Sequence, residues 1–217
     1  PLADDIQTLV DRCDGIIVLS PDNCEMHESL CQIPLRSGKP TYVDKTFAPD
    51  YPTAKRIFDI AEESGTPCYS TSALRFAEEY AGQDSVEGIA AWGPYGFETY
   101  AIHMLEPIVM LMKGSVRRVM YLPGKDSYTL LMDFDGGRTA SMTGFMKGAP
   151  FAMQITRADG AQTVNVQSDY FGGFIRYLVS FFKDPTRIVP HEDTLEIMAI
   201  RGAGVKAIEK PGEWIDL

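Results

Sequence analysis

The sequence predicts two architectures in one chain: the C-terminal half of a doubly wound parallel α/β sheet, followed by a mainly antiparallel α+β domain. Two observations carry this prediction. Short apolar strands alternate with helical stretches in residues 1–75, whereas residues 76–217 contain many strands joined by Gly, Pro and Asp turns. We therefore divide the chain into residues 1–75 and 76–217, and we expect the second part to form one large sheet with helices on one face.

The first region contains three candidate strands separated by two helices. Ile16–Leu19 is a continuous apolar run of the kind that is buried on both faces of a parallel sheet. The other strands are predicted at 41–43 and 68–74, and the helices at about 25–36, with a kink or early end at Pro34, and at about 52–65. A doubly wound sheet normally has about six strands, so we expect the other half before Pro1 and an open apolar edge at the first strand.

The second region alternates strands with turn residues after one long helix. A strand at about 86–92 leads into a helix at about 98–112. Further strands are predicted at 116–122, 128–134, 139–146, 151–157 and 163–167, two closing helices at 171–182 and 192–203, and hairpins at the links 123–124, 135–137, 148–150 and 159–160. The sheet face away from the helices should be open and adhesive. The residues expected there are Met132, Phe134, Met142 and Met146.

Composition and charge disfavour several classes of protein. Hydrophobic residues make up 45% of the 217 and charged residues 23%, and no run approaches the roughly 18 apolar residues of a membrane span. The net charge of −10 disfavours binding to nucleic acid or to an anionic membrane. The four cysteines form no C-x-x-C pair and the three histidines no Cys/His cluster, so we expect free thiols and no metal site. No signal-peptide pattern is visible, and a cytoplasmic location is expected.

An acidic residue and a lysine follow the second predicted strand directly. Asp44 and Lys45 come after Thr41–Val43, at the end of a parallel strand, where α/β sheets bind ligands. Desolvation at a buried strand end disfavours the ammonium form of a lysine, which suits proton transfer. Taken alone, the pattern fits a surface lysine as well as a functional one.

Several motifs occur in a fixed order around this lysine: D-G-I-I-V-L-S-P, a histidine, G-K-x-x-x-x-D-K, a helix ending E-E-S-G-T-P, and S-A-L-R-F. This order resembles the Gfo/Idh/MocA family, the relatives of glucose–fructose oxidoreductase and inositol dehydrogenase. In that family the strand ends in Glu-Lys-Pro, so the resemblance implies that Lys45 lies beside the nicotinamide and the substrate, with Thr46 in place of the proline. The residues that the resemblance assigns to the cofactor side are Ser20, Pro21, His27, Asp44 and Lys45.

A second group of candidates lies at the start of the helix predicted at 98–112. The family carries an aspartate four residues before a histidine here, a spacing that puts both on one helix face. The resemblance implies that His103 is catalytic, while Thr99 stands where the aspartate is expected and cannot ionise. Pro107 adds an independent hint, because it has no N–H to bond the carbonyl of His103 and leaves that turn open.

For the whole protein the resemblance implies reversible hydride transfer between NAD or NADP and a secondary hydroxyl of a sugar, an inositol or a related polyol. Lys45 would position or protonate the substrate oxygen, and His103 would act as general acid and base. The predicted substrate-binding residues are Arg75, Tyr95, Thr99 and Tyr100, although a salt-bridged structural role fits Arg75 equally well. Members of the family pair through the sheet, so a homodimer or homotetramer is expected.

Two other interpretations of the function remain open. A non-catalytic sugar- or nucleotide-sensing protein on the same fold would also fit the threonines at 46 and 99. A purely structural dimerisation domain would fit if side chains fill the cleft.

Gly202–Ala207 matches G-x-G-x-x-A, but a helical pattern precedes it where a strand is required. We therefore expect the 217-residue chain to bind NAD(P) poorly and to be inactive alone.

Overall fold

A computed structural model describes residues 2–20 and 23–217 and divides the chain into two compact units. Unit 1 comprises Pro1–Thr71 and Ile175–Met198, and unit 2 comprises Ser72–Phe174 and Ala199–Leu217. Each unit is therefore built from two stretches of sequence.

Unit 1 contains the small parallel sheet that the sequence predicts. Its elements are α1 (Ile6–Arg12), β1 (Ile16–Val18), α2 (His27–Cys31), β2 (Thr41–Val43), α3 (Tyr51–Glu63) and β3 (Cys68–Tyr69). The strands pair in parallel in the order β1-β2-β3. The prediction of a partial parallel α/β sheet is confirmed, but β1 is not buried on both faces, because Ile17 is 47% exposed.

Helix α3 shows why this pattern folds as it does. The side chain of Asp50 accepts a hydrogen bond from the N–H of Thr53 at 2.9 Å, which satisfies one of the free donors of the first turn. Pro52 stands where its missing N–H costs nothing. The apolar side chains recur every three or four residues and are buried: Ala54, Ile57, Phe58 and Ala61.

The elements of unit 1 differ from the predicted ones in three places. The helix expected at 25–36 begins as a 3₁₀ turn at Cys24–Met26 and continues as the short α2, and a second 3₁₀ turn at Pro34–Arg36 follows its early end, which was expected because Pro34 cannot continue the α-helix. The strand expected at 68–74 ends at Tyr69, and a 3₁₀ turn capped by Ser72 forms at Ala73–Phe76. Helix α1 was not predicted, although Asp5 is its N-cap.

Unit 2 is dominated by one seven-stranded sheet. Its elements are β4 (Gly88–Pro94), α4 (Phe97–Met112), β5 (Val116–Pro123), β6 (Ser127–Phe134), β7 (Thr139–Phe145), β8 (Ala152–Arg157), β9 (Gly160–Asn165) and β10 (Trp214–Asp216). The strand order is β10-β5-β6-β7-β4-β8-β9. Helices α5 (Tyr170–Lys183) and α6 (His191–Ile208) each contain a boundary between the units. Gly202–Ala207 lies inside α6, which continues to Ile208 and does not end at 203 as predicted.

The large sheet is mixed because β4 pairs in parallel with β7, while the other neighbouring pairs are antiparallel. The hairpins predicted at 123–124, 135–137 and 159–160 join β5 to β6, β6 to β7 and β8 to β9. The hairpin predicted at 148–150 is wrong. This link joins β7 to β8, and β4 lies between those two strands.

The two faces of the large sheet differ in burial. This difference corrects the set of residues that the sequence places on the open face. Met132, Phe134 and Met142 are at most 1% exposed, so they belong to the core. Helix α4 covers that inner face, with the ring of Phe97 5.7 Å from the ring of Tyr128 on β6. The alternation of side chains leaves partly exposed apolar residues on the opposite face: Trp92, Met120, Leu131 and Trp214.

Candidate active site

His103 lies on α4 and is held by a residue that is far away in the sequence. Its Nδ1 is 2.8 Å from Oγ of Ser72, across a separation of 31 residues. Ser72 is fully buried and caps the 3₁₀ turn at Ala73–Phe76, where its Oγ also accepts the N–H of Leu74 at 3.2 Å. The ring of His103 is therefore fixed at Nδ1, and Nε2 is the nitrogen on the side away from Ser72.

A buried ion pair holds the backbone around Ser72. Glu106, one turn after His103, is 2% exposed. Its Oε2 accepts the backbone N–H of Ser72 at 3.1 Å, and its Oε1 accepts from Nε of Arg75 at 2.5 Å. These contacts connect four residues, which we call the His103 cluster: Ser72, Arg75, His103 and Glu106.

Two aromatic rings lie next to His103. The ring centroid of Tyr100 is 5.1 Å from that of His103, and the centroid of Phe151 is 5.9 Å from it. Tyr95 continues the series, 4.6 Å from Tyr100, and Tyr170 lies 6.4 Å from Phe151. We call Tyr95, Tyr100, Phe151 and Tyr170 the aromatic row.

The backbone is shaped to bring these rings together. A Cβ atom at Gly93 would lie 2.8 Å from the ring of Phe151, so only glycine lets that ring pack against β4. Tyr95 has a left-handed φ of +64°, a conformation that non-glycine residues rarely adopt and that clusters at functional sites. Tyr95 is also 47% exposed, which leaves its ring accessible.

The structure brings some of the predicted residues of this region together and leaves others apart. His103, Tyr95 and Tyr100 come together, and Arg75 joins the same cluster through Glu106. Thr99 is exposed on the first turns of α4. The partner of His103 is Ser72, the first residue of the S-A-L-R-F motif, to which the sequence assigned no role, because only the fold brings residues 72 and 103 together.

In unit 1, polar residues follow the carboxyl ends of the parallel strands. The N–H of Asp44 donates to the carbonyl of Val18 at 3.0 Å, which extends the β1–β2 ladder by one residue. The hydroxyl of Tyr42 donates to the carbonyl of Thr71 at 3.1 Å and lies 3.4 Å from Oδ1 of Asp44. Ser20, Asp44 and Lys45 are all partly exposed there, and the peptide bond after Lys45 is cis.

His27 is placed differently from these strand-end residues. It is 1% exposed, and its Nδ1 lies 3.0 Å from the carbonyl oxygen of Phe47, which ties α2 to the loop after β2. Its Nε2 is buried and makes no hydrogen bond with any residue of 2–20 and 23–217. Pro21, the remaining predicted residue on the cofactor side, lies outside the described residues.

Two further features are absent from the described residues. Within 2–20 and 23–217, no group of three or more His, Cys, Asp or Glu side chains could hold a metal ion. In the same part of the chain, no helix combines the length and the apolar character that crossing a membrane requires.

Comparison with solved structures identifies the fold. A probable dehydrogenase from Thermotoga maritima has a TM-score of 0.81 at 12% identity, over 98% of this chain and 83% of that one. GenD2 from gentamicin A biosynthesis, solved in complex with NAD, has a TM-score of 0.81 at 12% identity, over 99% and 82%. The apo scyllo-inositol dehydrogenase from Lactobacillus casei has a TM-score of 0.78 at 13% identity, over 98% and 82%.

Neither a protein-family model nor a curated protein sequence matches the chain. At 12–13% identity the solved structures establish the fold alone. That fold is the one shared by dehydrogenases of the inositol type, as the order of the sequence motifs predicts. The resemblance to the Gfo/Idh/MocA family is thereby confirmed as a likeness of fold.

Proposed function

We propose that this chain is the substrate-binding part, with half of the cofactor-binding part, of an oxidoreductase that uses NAD or NADP. The enzyme would transfer a hydride to or from a secondary hydroxyl of a sugar, an inositol or a related polyol. Dehydrogenases with the same fold support the proposal, one of them solved in complex with NAD. Fold alone does not establish function, so the geometry of the candidate site has to support the proposal.

The observation that carries the proposal is the arrangement around His103. The imidazole is bonded at Nδ1 to a buried hydroxyl and is in contact with the rings of Tyr100 and Phe151. A general acid or base must be held in one orientation, and the bond at Nδ1 fixes the orientation of this ring. Histidine also exchanges a proton near neutral pH, which a reversible alcohol oxidation needs.

The residues of unit 1 fit the nicotinamide end of such a cofactor. Ser20, Asp44 and Lys45 offer a hydroxyl, a carboxylate and an ammonium at the carboxyl ends of parallel strands, where doubly wound sheets bind nucleotides. The buried Nε2 of His27 is a polar atom that the described residues leave unsatisfied. When bound, the cofactor would supply the hydride chemistry. The pyrophosphate requires a glycine-rich turn between a strand and a helix, which these residues do not contain.

Lys45 and His103 would handle the proton and the substrate oxygen. The ammonium of Lys45 would hold or protonate that oxygen, and Nε2 of His103 would accept the hydroxyl proton in oxidation and return it in reduction. The aromatic row would lie against the apolar face of a ring-shaped substrate, as aromatic side chains commonly do in small-molecule sites. Arg75 would act through Glu106, with which it forms its ion pair.

The test is a coupled measurement of binding and turnover. Protein carrying a complete dinucleotide domain is mixed with NAD or NADP and a panel of inositols, aldoses and acyclic polyols, and reduced nicotinamide is followed by its absorbance. We expect turnover with at least one cyclic polyol or sugar. The 217-residue chain alone should show no micromolar binding of either cofactor by calorimetry, because the glycine-rich turn supplies most of the affinity.

A sensing protein is the second candidate, and the threonine at position 99 favours it. Without an ionisable residue there, His103 lacks the aspartate that enzymes of this family carry one turn earlier. A sensor would bind a sugar or a nucleotide with no change in reduced nicotinamide. Saturable sugar binding without turnover, in protein that binds NAD(P), would select the sensor over the enzyme.

A further inference from the structure

Ser72 is the residue that contacts Nδ1 of His103, and the sequence motif that it opens, S-A-L-R-F, assigned it no role. Its Oγ lies 2.8 Å from that nitrogen and 3.2 Å from the N–H of Leu74. A hydroxyl oxygen has two lone pairs and one proton. Oγ can therefore accept from the Leu74 N–H and from an Nδ1–H at the same time.

The position of this hydroxyl is fixed from the backbone side. Ser72 is 0% exposed, and its N–H donates to Oε2 of Glu106 at 3.1 Å. Glu106 is in turn held by Arg75 at 2.5 Å. A partner that is buried and bonded on its own backbone cannot follow a rotating ring, so it dictates the orientation of the ring.

We propose that Ser72 is the positioning residue of His103 and takes the part that a carboxylate at position 99 would take, an inference that rests on the proposed function. When Nε2 is unprotonated, Nδ1 carries the proton and donates a hydrogen bond to Oγ of Ser72. In the imidazolium the same bond persists. The ring thus keeps one orientation while Nε2 gains or loses a proton.

The resulting step is balanced in both directions. In oxidation, the proton of the substrate hydroxyl would move to Nε2 of His103 and the electron pair of the C–H bond would leave as a hydride, for which an oxidised nicotinamide, when bound, would be the acceptor. The C–O bond becomes a carbonyl. In reduction, Nε2 returns the proton as the hydride comes back to the carbon, and Nδ1–H stays bonded to Ser72 throughout.

A neutral partner makes this site differ from an Asp–His pair. An ionised carboxylate stabilises the imidazolium, whereas a serine hydroxyl bonds to either protonation state without adding charge. The charged groups next to Ser72 are Glu106 and Arg75, which already form an ion pair with each other. An anion introduced at position 72 should therefore favour protonation of His103 specifically.

The test uses NMR of the 217-residue chain labelled with ¹⁵N at histidine. The chain has three histidines, so three imidazoles are observed, and His27→Gln and His191→Gln assign them. Ser72→Asp should move the midpoint of the His103 titration upward by roughly one pH unit or more. Ser72→Ala should change the ¹⁵N couplings that report which nitrogen of His103 carries the proton, while His27 and His191 keep their signals.

Two controls separate positioning from capping. An aspartate at position 72 can still cap the N–H of Leu74, so a shifted titration in a folded Ser72→Asp protein is not a loss of structure. Ser37→Ala removes another turn hydroxyl, which bonds the carbonyl of Pro34 at 2.6 Å, and should leave His103 unchanged. In protein that turns over, Ser72→Ala should lower kcat by about 10²-fold with little change in KM, because a small misplacement of a catalytic group has effects of that size.

The outcomes distinguish this inference from the proposed function. A His103 titration that does not move in Ser72→Asp, with unchanged ¹⁵N couplings in Ser72→Ala, would overturn the inference. Altered His103 signals together with no turnover of any polyol would support the Ser72–His103 pair and reject the proposed oxidoreductase.

Discussion

The two sheets of this molecule carry their candidate chemistry in different places. The strands of the parallel sheet have only two or three residues, β2 and β3 are buried throughout, and the polar residues come where the strands end. From β4 to β9, the strands of the mixed sheet have six to eight residues, and side chains on β6 and β7 alternate between buried and exposed.

This difference follows from how the faces are covered. Strands β2 and β3 are buried throughout, so ligands reach them at their ends, whereas Ile17 on β1 is 47% exposed. A mixed sheet covered on one face keeps the other for water or a partner, and here His103 lies on the covering helix α4. The expected roles are therefore cofactor-side chemistry in unit 1, and proton transfer and self-association in unit 2.

The largest expected effects are on turnover. Lys45→Ala and His103→Ala should each lower kcat by roughly 10²–10⁴-fold in the complete enzyme, because each removes a positioned proton-transfer group. Stopped-flow measurement of reduced nicotinamide checks this, and Lys39→Ala, before β2 rather than after it, is the lysine control. Near-normal activity in both site variants would mean that neither Lys45 nor His103 has its proposed role.

The next effect is on the stability of the mixed-sheet unit. Glu106→Ala should lower the free energy of unfolding by about 3–5 kcal/mol, because it leaves the guanidinium of Arg75 buried without its carboxylate. Urea unfolding followed by circular dichroism measures the change. Glu98→Ala, at an exposed position on the same helix, should change stability by no more than about 0.5 kcal/mol. Equal effects of the two variants would contradict the structural role of the ion pair.

A smaller effect is expected at Glu79, with a defined pH dependence. Burial of its carboxylate acts to raise its pKa, but bonds from the Ser168 hydroxyl and from the N–H groups of Gln167 and Ser168 outweigh burial and lower the pKa to about 2. A lowered pKa in the folded state contributes stability that is present above the unfolded value of 4.5 and is lost as the pH falls through about 2.

Glu79→Gln should therefore lower the unfolding free energy by about 1–3 kcal/mol at pH 7, and the difference from wild type should shrink below pH 4.5. Urea unfolding at a series of pH values measures it. The neighbouring Glu78 is exposed, and Glu78→Gln should have almost no effect. A pH-independent difference at Glu79 would show that the carboxylate charge is not what stabilises this turn.

The smallest effect on folding is expected on the open face of the mixed sheet. Leu131 and its cross-strand neighbour Met120 are partly exposed there, and Trp214 pairs with Met120 on the next strand. If this face joins two copies, Leu131→Arg should convert a dimer into a monomer in light scattering, while unfolding changes by no more than about 0.5 kcal/mol. A wild-type chain that is strictly monomeric at tens of micromolar would end this prediction.

Much of the fold was predictable because the dominant signals are local. The apolar period of α3, the apolar run at β1 and the turn residues at 135–137 each act over a few residues, and the structure has these elements. Errors occurred where local signals are weak or misleading. Cys68–Leu74 looks like one strand, yet Ser72 caps a turn there, and the link 148–150 looks like a hairpin.

What only the tertiary structure decided is which residues meet. The sequence alone indicated His103, Tyr95, Tyr100, Asp44 and Lys45, because each stands at a recognisable place in a motif. It could not indicate that Ser72 bonds His103, that Glu106 joins Arg75 to Ser72, or that Met132 and Met142 face inward. Those facts depend on contacts between residues about 30 positions apart and on the pairing of β4 with β7, which no local pattern encodes.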